Sequence, residues 1–174
     1  MIFRLLSTIP TTQPKGFREF SLALCHYATF SGYSIPVIRL MLTQARIESA
    51  NGTSNLALTQ NNYIGMRCVQ IRNTTQIGCN NALNFGIYKT PSQCAKDLVL
   101  WYNYRNISKK NRFFAEAEVI KAGYVTEAES GDYTRAIASV YPGTNLRYPI
   151  AVLAICGASS ILVCMLVFRL LKMS

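Results

Sequence analysis

Glu48 is the residue of this 174-residue chain best placed for acid–base chemistry. It closes a stretch in which Val37, Leu40, Met41, Gln44, Ala45 and Glu48 recur at helical spacing. The forty-eight residues after it contain no Asp or Glu. A carboxyl at a helix C-terminus sits beside partial negative charge, which disfavours a second one. Apolar walls push its pKa further in the same direction. A carboxylic acid kept protonated near neutral pH can protonate a leaving glycosidic oxygen. A single glutamate is more often a plain surface charge, so the elements around it must decide.

Those elements read as an α+β layout. A first helix is expected from Pro14 to about Phe30, and "SGYS" is a turn. Ser34 is an expected N-cap with Pro36 in the first turn. The second helix then runs to about Ser49, stopped by Asn51 and Gly52. From Asn61 to Lys89, short β-branched and aromatic runs broken by Asn, Thr and Gly suggest a small antiparallel region of about three strands. Three more helices follow in "SQCAKDLVLWYNYR", "RFFAEAEVIKAG" and "ESGDYTRAIASVY", and Pro142 and Gly143 end the domain. The cleft should lie between helices and β-lobe, with Glu48 pointing into it.

The net charge is +10, from 18 Lys and Arg against 8 Asp and Glu. The basic residues are scattered, with "SKKNR" as one small cluster. They fit a solvated surface or attraction to an anionic polymer or membrane. No nucleic-acid module is visible, and no nucleic-acid partner is expected. The cysteine spacings fit no zinc site, His26 is the single histidine, and no metal or cofactor is expected. Cys68 and Cys79 flank a hairpin and could pair, which would leave Cys25 and Cys94 as the other couple. Free buried thiols are the alternative.

The C-terminus has a different character. Ile150 to Phe168 is nineteen residues without a charge, preceded by Arg147 and Tyr148 and followed by Arg169 and Lys172. A helix of that length spans roughly 28 Å, enough for a bilayer core, and the flanks suit a membrane anchor. The N-terminal "MIFRLLSTIPTTQP" lacks the apolar run of an export signal. The expected organisation is a domain over 1–141, a linker over 142–149, a transmembrane helix over 150–168 and a basic tail over 169–174.

"LTQARIESANGTSNLALTQNNYIGMR" resembles the glucosaminidase family of peptidoglycan hydrolases, whose members share a lysozyme-like fold. The matching pieces are Glu48-Ser49, Gly52-Thr53-Ser54 and Asn62-Tyr63-Ile64-Gly65-Met66-Arg67. "FGIYKTPSQCAKDLVLWY" and "KAGYVTEAESGDYTRAIASVY" are similar to later family segments, so the likeness covers about Val37 to Tyr141 in order. It implies Glu48 as catalytic general acid and Tyr124 beside the reacting sugar. It implies Asn62, Tyr63 and Gly65 in the cleft floor that binds substrate. Ordinary packing is the alternative for the two tyrosines. Many members carry a second acid in the β-lobe, and this chain has none there. Asp97, Glu127 and Asp132 lie in or near later helices, outside any matched motif.

The gap leaves three readings: attack by the substrate's own N-acetyl group, an anhydro-forming reaction as in lytic transglycosylases, or a domain that only binds glycan. The expected function is thus a membrane-anchored glycosidase acting on the β-1,4 bonds of peptidoglycan. The alternative is a non-catalytic wall-binding or structural protein of a virion membrane. Expected partners are peptidoglycan, a lipid membrane and other virion membrane or capsid proteins. A wall substrate without a visible export signal suggests the membrane of a lipid-containing bacteriophage, which would use the enzyme for entry. A bacterial inner membrane with the domain in the periplasm is the second expectation.

Overall fold

The computed structural model describes residues 13–80, 83–144 and 146. The expected transmembrane helix over 150–168, the basic tail and half of the linker lie outside the described residues. Among the described residues no helix is long and apolar enough to cross a membrane.

Helix α1 (Lys15–Phe30) and α2 (Ile35–Glu48) form as the sequence periodicity dictates. A short α3 (Asn55–Gln60), not foreseen, follows the α2 turn. Its cap is the Ser54 hydroxyl, which accepts from the Ala57 N–H. Helices α4 (Pro91–Tyr104), α5 (Arg112–Lys121) and α6 (Ser130–Val140) complete the set. Thr90 caps α4 and Asn111 caps α5 through side-chain oxygens. Ser34 stands at the α2 N-cap but makes no side-chain cap bond. Its hydroxyl donates instead to the Lys110 carbonyl, tying the α1–α2 turn to the loop before α5.

The β-lobe is smaller than expected. Strands β1 (Gly78–Asn80) and β2 (Phe85–Ile87) pair antiparallel, with Gly78 opposite Ile87 and Asn80 opposite Phe85. The segment expected as a third strand makes one bridge, Arg67 to Phe85, plus the bonds Cys68 N–H to Asn84 O and Gly86 N–H to Met66 O. The Cys68–Cys79 disulfide forms as expected and closes this lobe. Cys25 and Cys94 are not a couple: both are free and buried. The Cys94 sulfur instead accepts the Tyr63 N–H at 3.4 Å.

The core lies between α1, α2, α4 and α6, where Phe17, Phe20, Leu24, Leu40, Leu98 and Ile137 are buried. The lobe is fastened to it by one buried ion pair. Arg72 reaches both oxygens of Asp97 at 2.8 and 3.0 Å, and the Tyr88 hydroxyl donates to the same carboxylate at 2.7 Å.

Candidate active site

Glu48 is the last residue of α2, and the chain turns sharply after it. The Ser49 hydroxyl donates to the Ala45 carbonyl and accepts the Gly52 N–H. Gly52 has φ +87°, and a Cβ there would stand 2.6 Å from the Phe17 Cβ. Only glycine permits that approach of the turn to α1. The Glu-Ser…Gly pattern is thus a device that ends the helix at the carboxylate and turns the chain toward the lobe.

The loop that faces Glu48 is held from behind. Asn62 is fully buried, and its amide donates to the carbonyls of Met66 and Gly86, both at 2.9 Å. Its oxygen accepts the Met66 and Ile64 N–H groups. That clasp curls the loop and leaves Gly65 at φ +59°, where a Cβ would lie 3.0 Å from the Glu48 Oε2. On the other side, the Tyr124 hydroxyl donates to the Ile64 carbonyl at 2.9 Å. Gly65 therefore lies against Glu48, and Tyr124 braces the carbonyl of the residue before it.

Two of the expected cleft-floor side chains do not present themselves to a ligand. Tyr63 is 3% exposed, with its ring against Phe17 and Phe20 at centroid distances of 5.9 and 5.3 Å. Asn62 spends its amide on the loop's own backbone. Both shape the floor from beneath.

Burial, and then the charge of Glu129, raise the Glu48 pKa to about 7. The expected direction holds, with burial as the leading cause rather than the helix end. Glu129 goes the other way. Its exposed carboxylate accepts from the Thr126 hydroxyl at 2.6 Å and the Thr126 N–H at 3.3 Å, and these bonds lower its pKa. Sequence reasoning weighed Asp97, Glu127 and Asp132 and missed Glu129. The signal was present: Thr126-x-x-Glu129 has capping-box spacing, and that motif fixes the carboxylate. Asp97 is taken up by Arg72 and Tyr88. Asp132 forms an exposed pair with Arg135.

A buried polar chain underlies the site. Tyr102 donates its hydroxyl proton to the Gln44 oxygen, and the Gln44 amide donates to the Tyr133 hydroxyl at 2.9 Å. Gln44 is one helical turn before Glu48, and the charge of Glu48 adds to the burial that raises the Tyr133 pKa. The Tyr124 ring lies edge-on to Trp101 at 5.3 Å and tilted to Tyr133 at 5.9 Å. Helical spacing had placed Gln44 on the same face as Glu48 without assigning it a role. Among the described residues no group of His, Cys, Asp and Glu side chains could hold a metal ion.

The glucosaminidase family model, described as mannosyl-glycoprotein endo-beta-N-acetylglucosaminidase, matches residues 27–146. No curated protein sequence matches the chain. A solved chain from a type VI secretion system effector–immunity complex of Pseudomonas protegens is similar in fold. Its TM-score is 0.61 at 17% identity, over 83% of this chain and 97% of that one. The catalytic domain of the autolysin Auto from Listeria monocytogenes aligns at TM-score 0.47 and 16% identity, over 79% of this chain and 90% of that one.

Proposed function

We propose, from the premise that this chain belongs to the glucosaminidase family and is a glycosidase, that it cleaves β-1,4 bonds between the amino sugars of peptidoglycan with Glu48 as general acid. One observation carries the reading. Glu48 is a carboxyl held protonated up to about pH 7, and it lies against a glycine whose missing side chain leaves the loop close beside it. A group with that pKa can hold its proton at working pH and still release it.

The step balances as follows. The bond from the anomeric carbon to the leaving oxygen breaks, and the Glu48 proton passes to that oxygen. The acetamido oxygen of the sugar forms a bond to the anomeric carbon in its place. Water then opens this ring, and its proton returns to the Glu48 carboxylate. If the sugar's own 6-hydroxyl opens it instead, the product is an anhydro sugar, as in lytic transglycosylases.

This route needs no carboxylate in the β-lobe. Glu129 enters it as the ionised partner of Glu48, since the two carboxyls have pKa values pushed apart. Its field keeps the proton on Glu48 before reaction and offsets positive charge on the sugar ring during it. Tyr124, with its hydroxyl engaged by Ile64 and its pKa raised by burial, serves as a wall that positions the loop.

We also read residues 150–168 as a membrane anchor, on their length, lack of charge and basic flanks. The membrane is that of a lipid-containing phage particle, where the enzyme would open the wall on entry. A bacterial inner membrane with the domain in the periplasm is the second assignment. Mass spectrometry of purified peptidoglycan digested with the full chain tests the chemistry. Reducing or anhydro sugar ends support the proposal, and an unaltered glycan strand rejects it.

A further inference from the structure

We propose that the pole of the domain where α1 and α4 end and α2 and α5 begin is a membrane-facing surface that seats on anionic lipid headgroups. The inference deepens, and rests on, the reading of residues 150–168 as a membrane span.

Four helix ends are tied together at this pole. The Ser34 N–H and hydroxyl donate to the Lys109 and Lys110 carbonyls at 2.8 and 3.0 Å. The Lys109 ammonium donates to the Ser31 carbonyl, and the Tyr33 hydroxyl donates to Asn103. This fixed platform holds large apolar side chains in solvent. Phe30 is 81% exposed, Phe113 70%, Phe114 65% and Ile35 54%. Isolated exposed apolar residues are ordinary, but several grouped at one pole and rimmed by polar residues mark an interaction surface.

The rim identifies the partner. Arg105, Lys109, Lys110 and Arg112 lie between the end of α4 and the first residue of α5, with Arg112 over the Phe113 ring at 4.4 Å, while residues 26–36 and 103–115 contain no Asp or Glu. The nearest acid in sequence, Glu116, faces Arg112 at 3.8 Å, and the Glu118 carboxylate accepts the Ser108 N–H in the loop beside Lys109. Arg39 and Arg112 both lie over the Tyr141 ring, at 5.4 and 4.2 Å. Phosphate oxygens of a headgroup are acceptors suited to the exposed guanidinium of Arg105 and the exposed ammonium groups of Lys109 and Lys110. Aromatic and aliphatic side chains at the acyl boundary, ringed by cations at headgroup level, are the pattern of an interfacial membrane surface.

The same placement orients the enzyme. Helix α2 starts at this pole with Ile35 and ends on Glu48. Thirteen residue steps at 1.5 Å set them about 20 Å apart. With the pole on the bilayer, the catalytic end faces away from it, toward an external polymer.

The test uses the full chain in vesicles of phosphatidylcholine with phosphatidylglycerol. A tryptophan reporter is introduced as Phe114→Trp. A control, Leu58→Trp, sits on α3 beyond the catalytic end of α2, where the native side chain is 62% exposed. Quenching by lipids brominated near the glycerol end is measured relative to the parent, whose Trp101 is buried. The proposal expects at least twofold quenching at Phe114→Trp and none at Leu58→Trp. That quenching should fall when Lys109, Lys110 and Arg105 are changed to Gln, with wall degradation retained. Protein that floats with vesicles but shows no extra quenching at Phe114→Trp overturns the proposal and leaves the anchor standing. Protein that does not float overturns the anchor and the proposal with it. A blue shift without quenching, growing with protein density, would give the pole to a second copy of the chain and also overturn the proposal.

Discussion

Burial and the field of Glu129 hold the Glu48 proton to about pH 7. A general acid works only while protonated, so activity should be full below that pH and fall as pH rises through it. Removing the Glu129 charge removes one of the two raising causes. Glu129→Gln should therefore move the alkaline limb of the kcat/KM profile to lower pH. An unmoved limb would detach Glu129 from the site. The same shift sets a stability trend. A carboxyl whose folded pKa lies above its unfolded value of 4.5 binds protons more tightly in the fold. Stability then declines as pH rises from about 4.5 to about 7. Gly65 makes a second residue-scale claim. At φ +59° an alanine is strained by roughly 1–2 kcal/mol, and its Cβ would press on Glu48. Gly65→Ala should lower kcat by more than this modest loss of thermal stability accounts for, measured by calorimetry beside turnover.

At the scale of elements, the β-lobe hangs on a buried clamp and a short covalent loop. Asp97→Ala would leave Arg72 and the Tyr88 hydroxyl without their carboxylate, and breaking such a buried pair costs about 3–5 kcal/mol. Denaturant unfolding should show that loss; a change under 1 kcal/mol would mean the pair is solvated. The Cys68–Cys79 bridge spans 11 residues of sequence. Loop-closure entropy for that length gives about 3 kcal/mol. Cys68→Ser should destabilise by up to this amount, read in the same unfolding experiment without reductant.

These elements also mark where sequence reading stopped. Helix α2 and its end at Glu48 were legible because apolar periodicity and the Asn-Gly stop agree. The loop motif was legible as a motif, but not which way its side chains point. Asn62 bonds backward to Gly86, and Tyr63 turns onto Phe17 and Phe20, contacts with elements far away in sequence. The third strand failed because its one bridge depends on Phe85 rather than on its own pattern. Glu129 was missed because its charge acts on Glu48 across a long stretch of sequence, a relation that neither residue's local pattern contains.

At the scale of the whole molecule, one helix joins two chemistries. Its first turn lies in a cationic, apolar pole, and its last residue is the carboxyl that would break the glycan. The +10 net charge favours approach to anionic surfaces of either kind, membrane or wall, and weakens as salt rises. The central claim is narrower: a glycosidase whose chemistry depends on the Glu48 proton. Its most direct test is the initial rate of peptidoglycan degradation by this chain at pH 6, wild type against Glu48→Gln. The variant keeps size and hydrogen bonding but has no acidic proton to donate. General acid catalysis contributes ~10²–10⁴-fold, so the account predicts at least a ~100-fold loss with wall binding intact. A Glu48→Gln rate within a few-fold of wild type would contradict it.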